Sequence, residues 1–179
     1  MKKLRIFKTK IKNFLLIKHN IFKDKRGSFK RGFCYEELKN NKINFIVKQA
    51  NFSDNLSKGT LRGFHIQKYP FQEAKLLTCV KGAIHDVVVD MRKNSKTYSK
   101  HVAFKLNEKN KFSILIPKGC TNAFLTLKKN TLVHYYCNQI YSKKHETGYK
   151  FNDPLFNIKW PGKIKNISDK DSKHKYISD

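Results

Sequence analysis

The sequence predicts an all-β fold of the jelly-roll type, decorated by short peripheral helices. Between about Lys58 and Tyr141 it runs as short β-branched and aromatic segments separated by turn signals, the pattern of a β-sandwich or barrel. Nothing in that span carries the apolar spacing of a long helix. A length of 179 residues suffices to bury one core without disulfides or a structural metal. Neither an internal repeat nor a linker interrupts the chain, so residues 1–179 are expected to form a single domain.

Taken in order, a first strand is expected at Phe14 to Ile17, a turn at Lys25-Arg26-Gly27, and a short helix around Phe33 to Leu38. Ala83 to Asp90 is rich in β-branched residues, and period two places Ile84, Asp86, Val88 and Asp90 on one face. Carboxylates sharing a face with apolar side chains point to a cavity or a sheet edge. Further strands are expected at Val102–Leu106, Phe112–Ile116 and Thr131–Cys137, with Pro117-Lys118-Gly119 as a turn. The lysine-rich tail after Trp160-Pro161-Gly162 reads as irregular.

Composition excludes several classes. Cys34, Cys79, Cys120 and Cys137 form no CxxC pair and no finger spacing, which leaves free thiols in a reducing compartment. No apolar run approaches the roughly 18 residues of a membrane span, and Phe14 to Ile17 is too short for a secretory leader; a cytoplasmic protein is expected. A net charge of +26 raises nucleic acid as a partner, but only five of the 39 basic residues are arginine and the lysines are scattered rather than clustered. No reading motif accompanies them. The positive field suits an anionic small substrate instead.

The most informative stretch is GTLRGFHIQ, Gly59 to Gln67, followed by QEAKLLTCVKGAIHDVVVDMR, Gln72 to Arg92. DKRG at Asp24–Gly27, IPKG at Ile116–Gly119, the Tyr135–Tyr141 segment, NDP at Asn152–Pro154 and ISDKD at Ile167–Asp171 follow in order. With these motifs the chain resembles the dTDP-4-dehydrorhamnose 3,5-epimerase family over nearly its whole length. The resemblance implies a cupin jelly-roll β-sandwich and an enzyme that inverts carbon 3, carbon 5 or both of a nucleoside-diphosphate 4-keto-6-deoxy sugar. It also implies a homodimer and no cofactor.

That chemistry needs three kinds of group. The ketone acidifies the neighbouring C–H bonds, one residue removes a proton from one face, another returns one to the opposite face, and a third stabilises the enolate. The resemblance makes His65 the base: an imidazole is neutral in part at cellular pH and accepts a proton directly, although a lone strand histidine is by itself more often structural. It implies Asp171 as the carboxylate that orients His65, Tyr135 as the acid, and Lys75 as the cation beside the keto oxygen. Period two separates Tyr135, with Val133 and Cys137, from Tyr136 on the other face. Arg62 and Arg26 match diphosphate-binding positions, where a guanidinium binds phosphate in two-pronged fashion, and Arg26 is expected to reach a neighbouring subunit. Gln49, Asn51 and Tyr141 match contacts to the nucleotide or sugar. Arg62 and His65 lie three apart, which an ideal strand would turn to opposite faces unless Gly63 bends it.

Three departures qualify the match. Asn122 stands where the family has a histidine; its amide can support an oxyanion but cannot relay a proton. His85 and His134 replace an aromatic and an apolar residue, either reshaping the pocket or lying on a wet face. His65-Ile66-Gln67 replaces the HxH pair of metal-binding cupins, so no catalytic metal is expected. The alternatives are an epimerase for a GDP-linked 4-keto heptose and a non-catalytic sugar-nucleotide-binding cupin. The joint presence of His65, Tyr135, Lys75 and Asp171 speaks against the second.

Overall fold

The computed structural model describes residues 4–178. In chain order it contains β1 (Arg5–Lys8), β2 (Leu15–Lys18), β3 (Ile21–Asp24), β4 (Gly27–Lys30), α1 (Tyr35–Asn40), β5 (Gln49–Asn55), β6 (Leu61–Gln67) and β7 (Lys75–Lys81). There follow β8 (Ala83–Asp90), β9 (His101–Asn107), β10 (Phe112–Ile116), β11 (Cys120–Thr126), β12 (Thr131–Cys137), β13 (Glu146–Gly148) and α2 (Asp169–Ser172). A six-stranded sheet in the order β1-β2-β10-β7-β12-β5 faces a five-stranded sheet in the order β13-β6-β11-β8-β9. Strand pairs in both are antiparallel. The hairpin β3-β4 stands apart as a two-stranded ribbon. The architecture is the cupin-like sandwich with short helices that the sequence predicts. No helix among the described residues is long and apolar enough to cross a membrane.

Alternation along β12 explains how the layers close. Val133 and Cys137 are buried, with Val133 and Tyr135 turned into the cluster between the sheets that holds Leu77, Ile84, Val88, Leu106, Ile114 and Phe124. Tyr136 points the other way, onto Phe33 and the layer formed by Leu38, Phe45 and Leu76 under α1. A third layer, Phe64, Val87, Val89, Ala123 and Phe156 with Trp160 beside them, covers the outside of the five-stranded sheet. Both faces of β8 are therefore packed, which is why Val87, Val88 and Val89 are all buried and its middle reads as a continuous apolar run. Each such side chain withdrawn from water contributes roughly 1.5–3 kcal/mol. The three layers together hold the sandwich rigid around one open end.

The boundaries of β8, β10 and β12 match the expected ones, and β9 is a residue longer at each end. The first expected strand starts later, at Leu15, because Phe14 turns into the core beside Asn13, whose φ is 65°. The expected helix lies two residues further on, at Tyr35–Asn40, where Glu36 and Glu37 occupy its first turn. The tail is irregular apart from α2 and an isolated bridge between Thr60 and Asn166.

Candidate active site

The open end of the sandwich is a cleft. One lobe, of about 250 Å³, is lined by Arg62, His65, Lys75, Asn122, Phe124 and Tyr135 among others. A second lobe of about 270 Å³ shares His65, Lys75 and Tyr135 and adds Gln49, Asn51, Cys137, Tyr141 and Glu146. Of the ten expected site residues, the structure brings Arg62, His65, Lys75, Asn122, Tyr135, Gln49, Asn51 and Tyr141 to this cleft, with Asp171 directly behind His65.

The wall contributed by β6 depends on a bulge. His65 pairs with Asn122 and Arg62 with Phe124, so β6 gains a residue on β11 across Gly63 and Phe64. That extra residue puts Arg62 and His65 on the same wall, where an ideal strand would separate them. Gly63 has φ +118°, and a Cβ there would lie 2.5 Å from the Asn122 carbonyl oxygen, so only glycine fits.

Asp171 reaches this wall from the tail. Its own N–H donates to Ser168 Oγ at 3.1 Å, capping α2. One carboxylate oxygen is 2.8 Å from His65 Nε2, and the other accepts the Gly63 N–H at 3.0 Å. Burial pushes this carboxyl up, but the His65, Gly63 and Ser168 hydrogen bonds outweigh it and hold it below the usual range. An ionised carboxylate can only accept. Nε2 therefore carries the proton, and Nδ1 is left with the basic lone pair.

The opposite wall comes from the six-stranded sheet. Tyr135 pairs with Asn51 and Leu77 across β12. Burial lifts its phenol above the usual value, although Lys75 pulls it down, so it keeps its proton. Lys75 makes an ion pair with Glu73 at 3.2 Å. Burial alone would discharge the ammonium, but Glu73, then Cys137 and Tyr135, raise it above its ordinary value. A positive charge thus shares the cleft with the imidazole and the phenol.

The rim is polar. Arg62 Nε donates to Asn55 Oδ1 at 2.7 Å and Nη2 to the Asp54 carbonyl at 3.3 Å, which aims the guanidinium along the mouth. Gln49 donates to Asn51 at 2.9 Å and accepts the Tyr141 N–H at 2.8 Å, while the Tyr141 hydroxyl donates to Glu146 at 2.7 Å. Arg26 is elsewhere: it sits at the tip of the β3-β4 hairpin, bound to Asp24 at 2.7 Å, and lines a separate hollow. His85 packs near Trp160 and His134 stacks on Phe52; neither lines the cleft.

Sequence reasoning missed Glu73, Glu146 and His174. Acidic residues without a motif carry no signal of their own, and His174 becomes relevant only because α2 folds back. Its Nε2 is 3.8 Å from Asp171 Oδ1, and the donor atoms of His65, Asp171 and His174 lie within 4.8 Å of one another. An ion held there would have to take both His65 Nε2 and Asp171 Oδ1 out of their mutual hydrogen bond. The arrangement suits proton traffic better: a basic nitrogen on one wall, a protonated phenol on the other and a cation in the same cleft can remove a proton from one face of a carbon and return one to the other.

The family model for dTDP-4-dehydrorhamnose 3,5-epimerase matches residues 8–179. A relative with that name from Shigella flexneri is 37% identical over 171 residues, covering 94% of this chain and 93% of its own. The crystal structure of dTDP-4-dehydrorhamnose 3,5-epimerase from Bacillus anthracis, with TDP and PPi bound, superposes with a TM-score of 0.94 at 33% identity, covering 97% of this chain and 99% of that one. That of dTDP-6-deoxy-D-glucose-3,5-epimerase from Legionella pneumophila, in complex with dTDP-4-keto-L-rhamnose, gives 0.93 at 32% identity over 98% and 93% of the two chains. With sequence, fold and coverage in agreement over almost every residue, the chain belongs to the dTDP-4-dehydrorhamnose 3,5-epimerase family.

Proposed function

We propose that this isomerase inverts the centres flanking the ketone of a dTDP-linked 4-keto-6-deoxy sugar. His65 Nδ1 takes the proton from the carbon next to the ketone, and the electron pair left behind delocalises onto the keto oxygen. The Lys75 ammonium and the Asn122 side chain stabilise that oxygen as it becomes an enolate. Tyr135 then gives its phenolic proton to the opposite face, and exchange with solvent returns a proton to the phenolate and takes one from the imidazolium, which resets both groups. Asp171 holds the imidazole in its working tautomer and stabilises the imidazolium. Arg62 takes the diphosphate, and Gln49, Asn51 and Tyr141 take the sugar and nucleotide side of the cleft. The observation that carries this reading is a carboxylate-oriented imidazole and a protonated phenol that line one cleft together with a half-buried ammonium.

A homodimer completes the picture. Among the described residues the β3-β4 hairpin pairs with no other strand, and it leaves Phe22 and Phe29 exposed by 50% and 64%. Docked on a second copy, it would bury these rings and bring Arg26 to the partner's cleft. The test is incubation with a dTDP-linked 4-keto-6-deoxyhexose in deuterated water, followed by NMR. Deuterium at carbon 3, carbon 5 or both, with inverted product, is expected; a GDP-linked sugar turned over faster would transfer the reading to the alternative nucleotide, and no exchange with either would overturn it.

A further inference from the structure

Asp86 is a carboxylate on the interior face of the sandwich that forms no ion pair among the described residues. It lies on β8 between Ile84 and Val88 and is 1% exposed. Its Oδ2 is 3.2 Å from the Asn122 side-chain nitrogen, and its Oδ1 has no hydrogen-bond partner among the described residues. The residue facing it on β9 is Phe104 and on β11 is Phe124. Among the described residues the charge felt at Asp86 is that of Lys75, from β7, whose ion pair is with Glu73. An ionised carboxylate with one oxygen unmatched among apolar side chains is strongly disfavoured.

We propose that Asp86 works as an un-ionised carboxylic acid whose hydroxyl donates to the Asn122 amide oxygen, turning the amide N–H into the cleft as a hydrogen-bond donor to the keto oxygen. The inference rests on the epimerase reading, and deepens it by assigning a positioning residue. The two ends of an amide exchange places by a half-turn of the side chain, and the 3.2 Å separation suits either arrangement. Chemistry chooses between them. A carboxylate can only accept, so ionised Asp86 would keep the amide N–H for itself and present an amide oxygen to the developing enolate. The protonated acid does the reverse. Asn122 lines the cleft beside His65, its register partner across β11 and β6 on the same wall, so the freed N–H faces the space in which the imidazole works.

Burial pushes the Asp86 acid up to about 8, with Asn122 and Lys75 pulling it part of the way back. The donor arrangement should therefore prevail at neutral pH and fail as pH rises through that value. Of the cleft's other titrating groups, Lys75, Tyr135, Cys137 and Tyr141 lie above their ordinary values and hold their protons through the same range, while Glu146 lies below its own and stays ionised.

The experiment compares Asp86→Ala and Asp86→Asn with the wild type. Loss of an oxyanion donor costs about 10²–10³ in kcat, so Asp86→Ala should fall by about 100-fold. Asp86→Asn, whose amide can donate to Asn122 without titrating, should recover at least about ten-fold of that loss and should lack the alkaline fall of kcat seen in wild type. Infrared spectroscopy of the wild type at neutral pH, with Asp86 assigned by its absence in Asp86→Asn, should show a protonated carboxyl band that vanishes at alkaline pH. An Asp86→Asn enzyme as weak as Asp86→Ala, or a wild-type spectrum showing only carboxylate at neutral pH, would overturn the proposal. A wild type that exchanges no deuterium into any 4-keto sugar nucleotide would instead sink the epimerase reading, with the infrared result still deciding the state of Asp86.

Discussion

Replacing Tyr135 by Phe should uncouple proton removal from inversion. The phenolic oxygen makes no hydrogen bond among the described residues, and the ring packs against the interior cluster, so losing one atom leaves the fold intact. Lys75 keeps its charge as well, because Glu73 at 3.2 Å contributes more to it than the phenol does. His65 lies on the other sheet and Asp171 on α2 behind it, and both are untouched. Deprotonation and same-face return should thus continue, while delivery to the opposite face loses its acid. General acid catalysis is worth about 10²–10⁴-fold, so the ratio of deuterium wash-in to inverted product should rise by about that factor. NMR in deuterated water reads both quantities in one tube, for carbon 3 and carbon 5 separately. An unchanged ratio with near-normal product would refute the assignment and pass the role to water or to Tyr141, whose hydroxyl is bound to Glu146 at 2.7 Å.

Three further outcomes are expected. Gly63→Ala should lower stability by about 3 kcal/mol, since the new Cβ would lie 2.5 Å from the Asn122 carbonyl at φ +118°; a melting temperature within a degree of wild type would contradict the strained bulge. Asp171 is held below the ordinary carboxylate range in the fold, so its contribution is complete above the unfolded value near 4 and is lost as pH falls through the folded one. Denaturant titrations should therefore show Asp171→Asn less stable than wild type at neutral pH, with the gap closing in acid; a gap independent of pH would remove the ion pair from the explanation. Chelators should leave turnover unchanged, because His65 Nε2 is engaged by Asp171; one tightly bound ion whose removal abolishes activity and whose return restores it would reverse that expectation.

Local pattern made much of the sandwich legible. Phe112–Ile116 and Thr131–Cys137 announce strands because β-branched and aromatic runs between turns have few other solutions, and the same alternation separated Tyr135 from Tyr136. Arg5–Lys8 escaped because an edge strand with mostly exposed side chains carries no such pattern. Gln49–Asn55 escaped as well, since its interior-facing Gln49, Asn51 and Ser53 are polar. The shared wall of Arg62 and His65 could not follow from period two, because a bulge is a property of two strands together. Glu146 in the cleft beside His65, and His174 against the His65 ring, are meetings that only the folded chain arranges.

His65 and the carboxylate that faces it are 106 residues apart in the chain. At about 5–20 residues per second, a ribosome makes the histidine several seconds before the aspartate exists. Most strands of the sandwich can pair in that interval, with the Gly63 N–H and the imidazole waiting for their common acceptor. Were the chain to fold as it is made, the body of the sandwich would form first, and the His65–Asp171 contact would follow only when the segment carrying Ser168 and Asp171 docks. A protease cutting the exposed Tyr141–Lys144 stretch after folding could leave that docked segment in place or release it, and turnover would report which, even where circular dichroism saw the same β-sandwich throughout.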